Sequence, residues 1–317
     1  MKKRIVLLLL SAMVCSLALK AQQQPIYDQY HFNYYLINPA VAGADRCSHL
    51  MATGKQSWLG EDGPSTYLLS FRTRLNTKNI GLGGYVYNDH TPQFNYIGGQ
   101  FTFAYHIPFA QGYRYRKAVS LERQLSFGVS ARFKYINYEA VSGVEDVANK
   151  SEGEFTPDVN LGVYFVNYGF FAGASATNLI EFQPEMFGDG NYGQQEYLTA
   201  FLFAGYDFEV SEISTFEPSV NFNFDTHDHY QLEGNLKYAV NDAASNFGYW
   251  VQLSYRHNLD KDNAQPLSLI PIIGARFGTF QLAYAFNVTL NKLYGHTYGT
   301  HELMLAYTFC VPHRFCR

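Results

Sequence analysis

Beyond about residue 48 the chain repeats one pattern, in which large apolar side chains alternate with polar or small ones over stretches the length of a strand. In residues 125–135, Leu125, Phe127, Val129, Ala131, Phe133 and Tyr135 share one face, while Ser126, Gly128, Ser130, Arg132 and Lys134 share the other. Residues 230–240 divide likewise, with Tyr230, Leu232, Leu236, Tyr238 and Val240 set against Gln231, Glu233, Asn235 and Lys237. Phe216, Val220, Phe222 and Phe224 oppose Glu217, Ser219, Asn221 and Asn223. The pattern predicts strands at 49–58, 66–75, 80–88, 96–107, 124–137, 158–166 and 170–178, then at 197–208, 214–225, 229–240, 247–257, 268–277, 280–290 and 301–309.

Two-faced strands of this kind do not suit a soluble sandwich. Charged and amide side chains turned into a dry core would go unsatisfied, and the rings turned outward would form an aggregating patch. Reversing the faces removes both problems. With rings toward lipid and polar groups toward a lumen, about fourteen antiparallel strands close into a transmembrane β-barrel with no backbone edge left in hydrocarbon. The even count keeps both chain ends on the periplasmic side. Residues 76–79, 167–169 and 278–279 then become short periplasmic turns, and 139–157 and 180–196 long outer loops. Residues 108–123, carrying Arg114, Arg116, Lys117 and Arg123, break this rule as a long basic excursion on the short-turn side. They read either as a solvated loop or as a docking site for a periplasmic partner.

Residues 29–43 fit neither a strand nor a helix. Tyr30, Phe32, Tyr34 and Tyr35 crowd beside Leu36 and Ile37, Asn38-Pro39 stops regular structure, and the small run to Gly43 can thread closely past other groups. So many rings in an irregular segment need a cavity, which points to a plug in the barrel with Tyr30, Phe32, Tyr34, Asn38, Pro39 and Gly43 as its interaction residues. The bland alternative is an ordinary core-packed arm.

Composition narrows the picture. Lys2, Lys3 and Arg4 ahead of an apolar run, with Ala21 at a cleavage position, read as a secretory signal peptide over residues 1–21. Residues 22–46 then form the N-terminal segment, 47–309 the barrel and 310–317 a C-terminal extension. Charged residues make up only 16% of the chain while it holds 26 Tyr and 26 Phe, which favours a membrane barrel over a soluble domain. A net charge of -4 argues against a nucleic-acid partner.

Candidate chemistry is sparse. Cys47, Cys310 and Cys316 are an odd set for an exported chain; a disulfide from Cys47 to one of the other two across the barrel closure is one reading, three reduced thiols the other. Residues 225–229, Asp-Thr-His-Asp-His, lack a scaffold for a metal and read as a solvated turn. His106 and His257 have serines nearby, but nothing in the sequence marks a Ser-His nucleophile, so neither enzyme activity nor a cofactor is expected. Gly81-Leu82-Gly83-Gly84 is followed by no helix and reads as relief of crowding or as strand curvature.

The opening Gln29-Tyr30-His31-Phe32-Asn33, with Ile37-Asn38-Pro39-Ala40-Val41-Ala42-Gly43, resembles the start of the PorP/SprF outer-membrane proteins of the type IX secretion system. The resemblance continues through Trp58-Leu59-Gly60, Gly63-Pro64-Ser65-Thr66, the Ile80 to Gly84 strand, Ala283-Tyr284-Ala285-Phe286 and Thr300-His301-Glu302-Leu303. It implies a non-enzymatic outer-membrane component of secretion and gliding in Bacteroidota. Its partners would be periplasmic ring and lipoprotein subunits of the machinery, or a large secreted adhesin. A plugged channel for hydrophobic small molecules, similar to the FadL transporters, is the competing expectation.

Overall fold

The computed structural model describes residues 28–45, 47–59, 63–75, 79–92, 94–110, 123–138, 153–180, 197–242, 245–261, 264–291, 295 and 297–309. The strands are β1 (Ser48–Gln56), β2 (Ser65–Leu75), β3 (Ile80–His90), β4 (Phe94–Ala110), β5 (Arg123–Tyr138), β6 (Glu154–Asn167) and β7 (Phe170–Thr177). They continue as β8 (Thr199–Tyr206), β9 (Phe208–Glu209), β10 (Ser214–Asp225), β11 (Tyr230–Asp242), β12 (Phe247–Asn258), β13 (Gln265–Phe277), β14 (Phe280–Thr289) and β15 (Thr300–Phe309). Each pairs antiparallel with its neighbour, and β15 pairs back onto β1 from Ser48↔Phe309 to Gln56↔His301. Fourteen strands close the ring. The two-residue β9 lies outside it, paired to β10 beyond the end of β8.

The faces divide as the alternation requires. On β5, Ser126, Ser130, Arg132 and Lys134 are buried, whereas Phe127, Val129 and Tyr135 are exposed. On β11, Glu233 and Asn235 are buried while Leu232, Leu236 and Tyr238 face out. Outward rings meet across strands, as in the run Phe101, Phe133 and Phe155, whose successive centroids lie 6.3 Å apart. Such a surface suits hydrocarbon. The interior is not uniformly polar, however: Met51, Ala239, Trp250, Ala283, Met304 and Ala306 form an apolar patch on the inner wall.

The strand ends show where sequence reading stops short. β6 begins at Glu154, four residues before its expected start, and runs through Pro157. Around Pro157 β6 pairs with β5, while its pairing with β7 begins only at Leu161, and a proline is tolerated on such a one-sided stretch. At the end of the barrel carrying Ser48 and Phe309, here the near end, the β6–β7 and β13–β14 turns are tight, whereas the β4–β5 connection holds residues 111–122, outside the described residues. Tyr168 (φ 46°) and Gly169 (φ 89°) both adopt the left-handed region that a two-residue hairpin needs. The opposite, far end carries the connections that hold residues 139–152 and 181–196, which lie outside the described residues, as do Arg114, Arg116, Lys117, Cys310 and Cys316.

Candidate functional site

Residues 28–45 pack against the inner wall of the barrel. Pro39 has no amide hydrogen and the stretch has no apolar period, so the chain settles into three single 3-10 turns, Tyr30–Phe32, Tyr34–Leu36 and Pro39–Val41. Hydrogen bonds such as Asn33 N to Tyr30 O (2.8 Å) and Ala42 N to Pro39 O (3.2 Å) close these turns. Several of the remaining polar groups of the segment bond to the wall.

At the far end the partners are charged. The backbone amides of Asp28 and Gln29 donate to the two carboxylate oxygens of Glu302 on β15, at 2.7 and 3.1 Å. Asp28 Oδ1 accepts from Arg256 Nη1 (3.1 Å) and Asn287 Nδ2 (2.8 Å), and Lys55 Nζ lies 3.5 Å from Asp28 Oδ2. Arg256 Nε donates to Glu233 Oε2 at 2.6 Å.

In the middle the partners are rings and amides. Tyr34 stacks on Phe203 with centroids 4.3 Å apart, Phe32 packs against Trp250, and Lys237 Nζ sits 5.3 Å above the Phe32 ring. The Tyr35 hydroxyl meets Thr102 Oγ1 at 2.9 Å, Asn33 Nδ2 donates to Ser70 Oγ at 3.0 Å, and the Gln252 amide donates to His31 Nε2. Tyr30 and Tyr35 are 1% and 0% exposed, so neither ring is a surface feature of this arrangement.

Toward the near end the contacts are neutral and close. Asn38 Nδ2 donates to Val163 O (2.9 Å) and Ala174 O (3.2 Å), joining β6 to β7, while its Oδ1 accepts from Ala40 N (2.9 Å). The wall is cut away here. A Cβ on Gly162 would sit 2.1 Å from Asn38 Oδ1, and one on Gly128 would sit 2.3 Å from Ala40 N. Farther along, His106 Nε2 donates to Ala42 O at 3.0 Å and Gln124 Nε2 donates to Ala44 O at 2.6 Å. Gly43, at φ 69°, turns the chain toward β1.

All six plug candidates, Tyr30, Phe32, Tyr34, Asn38, Pro39 and Gly43, therefore lie in one run along the inner wall. What sequence reading missed is the receiving set: Glu302, Arg256, Glu233 and Lys55 at one end, and Gly128 and Gly162 at the other. Their lumen-facing register was visible, but their pairing was not.

The other candidates resolve simply. His106 Nδ1 accepts from Ser126 Oγ at 2.8 Å, but both residues are 0% exposed and the Ala42 carbonyl occupies the other ring nitrogen. Asp225 accepts from the backbone amides of His227 and His229 and from His229 Nδ1, folding residues 225–229 into a self-bonded turn. Among the described residues no cluster of three or more His, Cys, Asp or Glu could hold a metal. Arg123, from the basic candidate set, sits 5.0 Å over the Tyr168 ring at the near end. Cys47 is disulfide-bonded, and its partner lies outside the described residues.

The sequence profile described as "Type IX secretion system membrane protein PorP/SprF" matches residues 19–307, nearly the whole chain. This chain belongs to the PorP/SprF family. As a member it is an outer-membrane component of type IX secretion. No characterised protein sequence matches it closely enough to count as a relative. Among solved structures it is similar to the monoaromatic hydrocarbon channel CymD (TM-score 0.53, 12% identity, covering 91% of this chain and 94% of that one). It is also similar to a deltaS2 mutant of the channel TodX (TM-score 0.50, 11% identity, 88% and 94% covered). At these identities the likeness is one of fold. A PorP/SprF barrel thus shares its architecture with small-molecule channels.

Proposed function

We propose that this chain serves type IX secretion by binding rather than by catalysis or conduction, and that residues 28–45 are a fixed plug. The observation that carries this reading is continuous anchorage. From Asp28 to Ala44 the segment is tied to β2, β4, β5, β6, β7, β12, β14 and β15 by buried or half-buried hydrogen bonds. A gate meant to leave the lumen repeatedly would not be held by so many bonds, each costly to leave unmade. The bound partner is either the periplasmic ring and lipoprotein subunits or a large secreted adhesin. The extended β4–β5 hairpin supports a periplasmic docking role, because β4 runs five residues beyond its pairing with β3, and the basic residues Arg114, Arg116, Lys117 and Arg123 follow.

The test is purification of the tagged barrel from outer membranes in mild detergent, with mass spectrometry of what accompanies it, together with conductance of the purified protein in planar bilayers. Ring and lipoprotein subunits, or a very large surface protein, are expected alongside a barrel that barely conducts. The likeness to CymD and TodX favours one competitor, a channel for hydrophobic molecules. Recovery of the barrel alone, with clear solute flux, would decide for that channel.

The same register supports a disulfide between Cys47 and Cys310. Ser48 pairs with Phe309 at the last described position of the β1–β15 seam, and Cys47 and Cys310 adjoin these two residues in sequence. Peptide mapping without reductant is expected to recover Cys47 linked to Cys310; linkage to Cys316 would refute that pairing.

A further inference from the structure

At the far mouth of the barrel lies a cavity of about 220 Å³, whose wall includes Arg256 of β12 and Ser268 of β13. Both side chains carry polar hydrogens that nothing in the fold uses. Arg256 Nε and Nη1 donate to Glu233 and Asp28, but Nη2 has no hydrogen-bond partner although the residue is only 7% exposed. The Ser268 hydroxyl has none either, in a residue 4% exposed. A buried donor left unmade is costly. Two of them on one cavity mark a place for an oxygen supplied by a ligand.

The sheet itself brings the two groups together. Arg256 pairs directly with Ser268, and the register then shifts so that His257 pairs with Pro266, which leaves Leu267 as the extra residue of a bulge. Bulges re-aim side chains beside binding sites, and here Leu267 joins Trp58 and Pro64 on the cavity wall. Trp58 has φ 50°, a backbone conformation that a bulky residue rarely adopts. Its neighbours hold it there: Trp58 N donates to Thr300 Oγ1 (3.3 Å), Leu59 N to Gly299 O (2.9 Å) and Ser57 N to Pro64 O (2.8 Å). Strain imposed by surrounding bonds in this way gathers at ligand sites.

We propose that this cavity binds a neutral sugar residue, the end unit of a glycan that enters from the far mouth. Its volume is below the roughly 300–1,000 Å³ of sites for drug-sized ligands, which suits a single ring. Charge excludes an acid: Lys55 and Arg256 already face the buried carboxylates Asp28, Glu233 and Glu302, so an anionic ligand would add charge that nothing answers. The neutral lining groups, the amides of Gln231, Asn287 and Asn291 and the hydroxyls of Ser57 and Thr289, can each donate and accept. Sugar hydroxyls do both as well, whereas peptide groups present fixed donors and acceptors. Trp58, Pro64 and Leu267 supply an apolar surface for the C–H face of the ring, and Arg256 Nη2 and Ser268 Oγ supply donors for its hydroxyl oxygens. The inference is independent of which secretion partner the barrel binds.

Fluorescence tests it. The chain has 2 tryptophans, and Trp250 packs against Phe32 in the lumen, so Trp250→Phe leaves Trp58 as the sole indole reporter. That variant, purified in an amine-oxide detergent without a sugar headgroup, is titrated with the methyl glycosides of glucose, galactose, mannose and N-acetylglucosamine. Sorbitol controls for general cosolute effects, and glucuronate and trialanine serve as anionic and peptide probes. The expected result is a saturable change in Trp58 emission with at least one glycoside and none with sorbitol. Adding Ser268→Ala should weaken that binding about two- to tenfold, the worth of one hydrogen bond. Should Trp250→Phe fail to assemble, the same probes are read on the unaltered barrel as a saturable rise in its unfolding midpoint. No saturable response to any glycoside would overturn the inference, as would a response undiminished by Ser268→Ala. Tighter binding of glucuronate or trialanine than of every glycoside would overturn it too.

Discussion

The two ends of the inner segment are held by opposite chemistries. At the far end, three buried carboxylates, Asp28, Glu233 and Glu302, share Lys55 and Arg256. Near the other end, Asn38, Ala42 and Ala44 are held by neutral hydrogen bonds, and glycines let the backbone approach closely. A charged seat is strongly sensitive to losing one partner, because the remaining charges stay buried. A neutral seat is sensitive to shape. The first therefore fixes where the segment begins, and the second fixes how closely it lies against the wall.

The largest effect should come from Arg256→Met. It leaves three carboxylates facing Lys55 alone and should cost about 3–5 kcal/mol, read as a lowered unfolding midpoint of the purified barrel by heat-modifiable gel mobility. Adding Glu233→Leu should recover part of that loss, whereas a double variant no better than the single would mean that the charges are not coupled. Next comes Gly162→Val. Its side chain would collide with Asn38, so overpacking should cost about 1–3 kcal/mol and leave residues 36–44 open to protease while Asp28 stays seated. Wild-type protease resistance would show that the close approach does not matter. The smallest is Asn38→Ala, which loses the bonds to Val163 and Ala174 and the turn cap at Ala40, about 1–2 kcal/mol. Its check is the same midpoint, and its effect should not add fully to that of Gly162→Val, since the two residues touch.

Much of the barrel was legible in the chain because a strand's period of two is local: each face of β5, β10 and β11 can be read from a dozen residues. The segment was legible as something needing a cavity, because four rings beside Asn38-Pro39 cannot form a strand. Its path was not. Asp28 meets Glu302 across 274 positions, and no local pattern says which lumen-facing acid receives which amide. The glycine run shows the same limit. Crowding was the correct reading of Gly81 and Gly83, but the crowding groups, the Ala42 carbonyl and the Tyr35 ring, come from another part of the chain. The start of β6 differs in the other direction: residues 154–157, read as loop, belong to the strand, because a proline is tolerated where no neighbour is waiting on that side.

The β1–β15 seam has a consequence for assembly. Residues 28–45 descend through the barrel and the chain then reverses at Gly43 to climb as β1, whose nine residues all pair with β15. Once that ladder forms, the ring has no edge through which a folded segment of this width could be slipped in from the side. Entry from the side is closed from that point, which leaves the two mouths of the barrel, or a path laid down before the last strand docks, as the ways in. The order in which the seam closes and the segment seats therefore sets how the lumen comes to be filled.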